Sequence, residues 1–148
     1  QGGYPNEQVF LADMARGECF VVTHGGEVAA VFVLSTLEQE NYAKITDGKW
    51  TADMAYCVLH RSAVSAKYRG SGMSEFMMKC VERQAAEGFG LRCIRVDTHR
   101  KNKAMQRLLR ESGYRYRGNV LVEAEPGQDP ARQAYEKVLK NKKREDTQ

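Results

Sequence analysis

Cysteine is scarce and scattered in this chain. Cys19, Cys57, Cys80 and Cys93 are the only four, and no two form a Cys-x-x-Cys pair. That spacing offers neither a zinc knuckle nor a disulfide framework, so no metal site is expected. Each lies inside an apolar segment and reads as a reduced core residue, which fits a cytoplasmic protein. Long apolar runs are missing as well. None approaches the ~18 residues that span a bilayer, and the opening residues show no signal-peptide pattern, so no membrane association is expected. Repeats and linker-like stretches are absent too, which leaves residues 1–140 as one domain followed by a basic polar tail over 141–148. Charge of one sign is also modest, with 23 Lys and Arg against 19 Asp and Glu for a net +4. That excess is too small to imply nucleic acid, and the interleaved exposed aromatics of a base-stacking surface are lacking.

What is present suits one packed core. The 148 residues are 42% hydrophobic and 28% charged, ordinary values for a globular domain. Tyr4-Pro5-Asn6 reads as a helix start with Asn6 as N-cap and Val9, Phe10 and Met14 on one face. Cys19–Thr23 and Val28–Leu34 are β-rich around His24-Gly25-Gly26, a hairpin signal. Met54–Val64 reads as a long central strand, and Gly72–Glu87 as a helix with Met73, Phe76, Met77, Cys80 and Val81 inward. Leu91–Thr98 is then a strand parallel to the previous one, because a helix connects them. A second helix spans Asn102–Ser112 with Ala104, Met105, Leu108 and Leu109 inward, and a strand spans Tyr114–Glu123. Ala131–Leu139 fits a closing strand or a short helix, since its polarity alternates poorly.

The most informative segment is Val64-Ser65-Ala66-Lys67-Tyr68-Arg69-Gly70-Ser71-Gly72-Met73-Ser74, a strand that passes through a glycine turn into an amphipathic helix. Such a turn aims several backbone N–H groups at one spot, at the positive end of a helix dipole, and suits phosphate. Arg69 adds a charged fork matched to phosphate oxygens. Basic residues crowd the stretch from Arg92 to Arg117 and the end from Lys137 to Arg144. The first is read as a positive rim for an anionic ligand, the second as a solvated tail.

Arg69-Gly70-Ser71-Gly72-Met73-Ser74 resembles the acyl-CoA-binding motif of the GNAT N-acetyltransferase superfamily, Arg/Gln-x-x-Gly-x-Gly/Ala, with Ser74 in place of the last small residue. His60-Arg61-Ser62-Ala63-Val64 is similar to that family's fourth strand, and Ala66 stands where it usually has proline. Asp97 to Met105 resembles the end of its fifth strand and the next helix, with the characteristic Asn102, and Ser112-Gly113-Tyr114 matches the Gly-aromatic that closes that helix. Together these span roughly Ala55 to Val122.

The resemblance implies a mixed α/β (α+β) fold, a central twisted mixed sheet flanked by helices. The family's opening strand and helix have no counterpart in the sequence before Cys19. It implies acetyl transfer from acetyl-CoA to a primary amine of a small-molecule or peptide acceptor, by direct attack in a ternary complex. It carries pantetheine onto the backbone of Ala63 and Val64, and pyrophosphate onto Arg69, Gly70, Ser71, Gly72, Met73 and Ser74. Asn102 is read both as pantetheine contact and as helix N-cap. Strand exchange occurs in the family, so a homodimer is open to it. Many members place a Tyr seven residues after the Asn; here that position is Leu109. His60, His99 and Tyr135 are the candidates left for proton transfer, and His60 has a titration range suited to a base. The missing Tyr also motivates a second reading, a non-catalytic acyl-CoA-binding module.

Overall fold

The computed structural model describes residues 7–51 and 53–141. A helix α1 (Glu7–Ala15) leads into a hairpin of β1 (Cys19–His24) and β2 (Glu27–Ser35), turning at the expected glycines. A single 3-10 turn, Glu40–Lys44, and a loop then lead to β3 (Cys57–Val64). Next come α2 (Met73–Arg83), β4 (Cys93–Thr98), α3 (Lys103–Glu111), β5 (Arg115–Leu121) and β6 (Ala131–Val138). All six strands join one mixed sheet in the order β1-β2-β3-β4-β6-β5. Only β3 and β4 are parallel, as a strand-helix-strand connection requires; the other pairs are antiparallel. No helix among the described residues is long and apolar enough to cross a membrane.

The sheet has two unlike faces. On one, α2 and α3 bury Met77, Met78, Val81 and Leu109 against Phe32, Leu34, Leu59, Ile94, Val96 and Tyr135. On the other, Val58, Val120 and Ala134 lie under Tyr42, with Ile45, Trp50 and Tyr56 packed alongside. The loop that carries Trp50 is stapled down. Thr51 N–H donates to Glu136 at 2.9 Å, Thr46 bridges Asn119, and a Cβ on Gly48 would stand 2.0 Å from the Arg117 carbonyl oxygen.

Several expectations are corrected. β3 begins at Cys57 rather than Met54. In α2, Phe76 is 52% exposed while Met78 is buried, and the helix widens into a π turn over Gln84–Gly88, so Gly88 lies inside that turn. In α3, Ala104 faces solvent and Gln106 is buried, its amide donating to the carbonyls of His99 and Arg100. Met14, expected inward on α1, is 58% exposed, and Asp13 is the buried residue instead. Asn6 and the side chains of Val9 and Phe10 lie outside the described residues. Ala131–Val138 is a strand, and Lys137, read as the start of the tail, belongs to it: its ammonium holds Ser112 O and Glu82, both at 2.7 Å. Residues 142–148 lie outside the described residues.

Candidate active site

Parallel pairing between β3 and β4 covers only Cys57 with Ile94 and Val58 with Arg95. Beyond Val58 and Arg95 the strands part, so the facing edges of Leu59–Val64 and Val96–Thr98 do not pair with each other. A bulge sharpens the parting. Val33 pairs His60 and Val31 pairs Ala63, so Phe32 alone faces Arg61 and Ser62. Arg61 takes the left-handed φ of 42°, a strained setting for a side chain of that size.

The glycine loop stands at the wide end of this gap. Gly70 and Gly72 have φ of 71° and 87°, and a Cβ at either would meet nothing within 4 Å. Glycine is needed there for backbone angle, not for want of space. Ser71 donates its hydroxyl to Tyr68 O, closing the turn. Gly72 is the N-cap of α2 with no side-chain bond, so the first-turn amides carry no side-chain partner and point outward at the helix's positive end. Arg69 is exposed beside them. This is a donor set that fits a pyrophosphate. Asn102 accepts Met105 N–H at 3.1 Å and therefore is the N-cap of α3.

The three proton-transfer candidates fall in different places. His60 is two residues beyond Val58 and shares its face, away from α2 and α3. Burial and the neighbouring Arg61 push its proton affinity below the ordinary histidine value, against the pull of Asp97, Asp13 and Glu18. Tyr135 is 3% exposed on the opposite face, its hydroxyl donating to Gln133 at 3.2 Å. His99 lies in the turn before α3, where Nδ1 accepts Lys101 N–H at 3.0 Å and Nε2 stands 3.8 Å from Asp129. His60 and Tyr135 are thus not brought together. Leu109 is fully buried in the core.

The expected positive rim is broken up by pairing. Arg95 and Arg117 turn onto buried Glu136, at 3.1 and 3.2 Å, Arg100 meets Asp129, and Arg107 meets Glu111. Burial raises the proton affinity of Glu136, but bonds from Thr51 and Arg95 outweigh it and hold the carboxyl below the usual range. All four cysteines are free thiols; burial pushes Cys57 up to about 12 and Cys93 up to about 11.

Sequence reasoning passed over Asp97, Tyr42 and Asp13. Asp97 shares the face of His60 at the mouth of the gap and accepts the Tyr42 hydroxyl at 2.6 Å. Its signal was its place at the carboxyl end of a parallel strand, where α/β sheets bind ligands. Asp13 reaches β3 from α1, taking Arg61 Nε at 2.8 Å and Nη2 at 2.7 Å. Nothing local in the sequence marks Tyr42 or Asp13.

The acetyltransferase (GNAT) family is the one whose model matches, over residues 3–114. The chain belongs to the GNAT acetyltransferase family. A GNAT-family acetyltransferase from Streptococcus agalactiae has 32% identity to this GNAT protein and a TM-score of 0.81, over 95% of this chain and 76% of the other. An IAA acetyltransferase from Bacillus cereus has 19% identity and a TM-score of 0.65, over 92% of this chain and 87% of its own. An acetyltransferase from Bacillus subtilis in complex with CoA has 17% identity and a TM-score of 0.64, over 93% and 86%. The last two show the shared fold alone. No curated protein matches the sequence.

Proposed function

We propose that this GNAT protein acetylates a primary amine of a small-molecule or peptide acceptor, with acetyl-CoA as co-substrate in a ternary complex. The observation that carries the reading is the parting of β3 from β4 above a glycine loop whose helix amides no side chain caps. Val64 offers its backbone groups on the gap side of β3 to the pantetheine arm, whereas those of Ala63 are turned to Val31 of β2. Arg69 and the amides from Gly70 to Ser74 hold the pyrophosphate, and Asn102 adds a contact beside its capping bond. When bound, acetyl-CoA supplies a thioester whose C–S bond breaks as the acceptor nitrogen forms the C–N bond, the sulfur leaving as thiolate. A lysine-like amine, with pKa near ~10.4, arrives protonated and must lose a proton first. His60 is the group that takes it, since it stands where the strands part and burial lowers its proton affinity.

Thiol release paired with mass detection of the product, across a panel of amines, tests the reading. Arg69→Ala should raise KM for acetyl-CoA about ten-fold, the scale of one charge-assisted phosphate contact, with less effect on the amine. His60→Ala should lower kcat and leave acetyl-CoA affinity alone, with His99→Ala and Tyr135→Phe as comparison variants. Acetyl-CoA binding without product from any amine would instead support the non-catalytic acyl-CoA-binding module, the reading that Leu109 favours in the position of the family's Tyr.

A further inference from the structure

A pocket of about 520 Å³ opens on the sheet face away from α2 and α3. Tyr42, Trp50 and Tyr56 wall it, and Arg95 forms its floor. The rings are held in place. Tyr42 is 1% exposed, its ring centroid lies 5.1 Å from that of Trp50, and Trp50 Nε1 donates to Tyr42 O at 2.8 Å. Gln39 N–H donates to the Tyr56 hydroxyl at 3.2 Å.

The floor is not an anion site. The Arg95 guanidinium lies 4.5 Å over Trp50 and 4.2 Å over Tyr56, and donates to the wholly buried Glu136. The rim carries Glu38 and Glu40 against a single Lys44. An apolar, aromatic hollow with an acidic rim favours a cation on a flat apolar body.

Tyr42 joins this pocket to the mouth of the gap through its bond to Asp97 Oδ2. Among the described residues, Tyr42 is the one hydrogen-bond donor to that carboxylate. Asp97 stands two residues beyond Arg95 on β4, about 7 Å along the strand and on the same face. His60 stands two residues beyond Val58, the partner of Arg95, so the two flank the point where the strands part.

We propose that this pocket takes the acceptor, and that the acceptor is a primary amine on an aromatic or otherwise flat apolar body that bears no carboxylate. Its body lies against Tyr42, Trp50 and Tyr56, and its ammonium rests on Asp97 facing His60. The proton then passes from the acceptor nitrogen to the His60 imidazole. A carboxylate beside the amine would be set against Asp97, Glu38 and Glu40, and like charges reject it. This inference rests on the acetyl-transfer reading above.

Trp50 is the only tryptophan of the chain, so its emission reports the pocket without any turnover. The protein is titrated with 2-phenylethylamine, with phenylalanine (the same skeleton plus a carboxylate) and with n-butylamine. Thiol release is then measured for each at saturating acetyl-CoA. The expected result is half-maximal change in emission at a concentration at least ten-fold lower for 2-phenylethylamine than for either other probe, with kcat/KM in the same order. Glu38→Gln with Glu40→Gln, both at exposed positions, should narrow the gap to phenylalanine. Asp97→Asn should weaken 2-phenylethylamine at least ten-fold while calorimetric binding of acetyl-CoA is unchanged, which also shows that the variant is folded. Phenylalanine binding as well as 2-phenylethylamine would overturn the inference. So would thiol release from amines with neither a change in emission nor a preference among the probes, an outcome that leaves acetyl transfer standing. A selective change in emission with no thiol released from any amine would support the pocket and sink the acetyl-transfer reading.

Discussion

Asp13 receives Arg16 and the forked guanidinium of Arg61 on its two oxygens, and its side chain is 1% exposed. Removing it would leave Arg61, 14% exposed and held at the bulge of β3, without its carboxylate. Asp13→Ala is therefore expected to cost about 3 kcal/mol, read as a lower urea midpoint, the usual scale for breaking a buried pair from one side. Asp13→Asn should lose less, since it keeps an acceptor oxygen. A midpoint unchanged in Asp13→Ala would show that the pair adds nothing to stability. Helical periodicity could not have found this residue, because it is buried by a partner 48 positions away and not by its own face. His60 carries a second residue-scale expectation. Its proton affinity is lowered, so the rate at limiting amine should rise through a pKa below ~6.5 as pH increases. His60→Ala should abolish that limb; its persistence would move the base elsewhere.

Among the elements, the turn into α2 was legible because its glycines are local: two left-handed angles and a helix start follow one another within a few residues. Gly72→Val should strain that turn by about 1–2 kcal/mol and place methyl groups among the outward amides. A rise in KM for acetyl-CoA larger than that of Arg69→Ala checks it. β6 was not legible, and the reason is physical. It lies between β4 and β5, and Ala134, Tyr135 and Glu136 are consecutive buried residues, so no polar-apolar alternation exists to be read. The face that carries the aromatic pocket was hidden for a related reason. Tyr42, Trp50 and Asp97 meet only through the tertiary fold, and no motif links positions that far apart. Gly48→Ala tests how that face is held. Its Cβ would collide with the Arg117 carbonyl, so the Trp50 loop should lift, lowering Tm and shifting Trp50 emission to the red.

For the molecule as a whole, acid stability follows from two buried carboxylates. Burial opposes ionisation of Glu18 and Glu136, yet Arg16 and Thr36 hold the first, and Thr51 and Arg95 the second, below the ordinary range. A depressed carboxylate pKa gives stability that is present above the unfolded value near ~4.3 and is lost as pH falls through the folded one. The urea midpoint should therefore drop as pH is lowered from about 5 to 3, and Glu136→Gln should flatten that slope from a lower starting stability. The sheet order has a consequence in time. β5 is made before β6, yet β6 stands between it and β4, and β5 is held otherwise to the segment before β3, through the Thr46–Asn119 bridge and the Asn41 amide on Leu121 O. A nascent chain that has emerged only as far as Pro130 would have β4 with a bare edge and β5 with no strand beside it. The edge of β4 must wait for a segment made after β5, so the sheet closes only once β6 has emerged, and by long-range pairing, the slow kind.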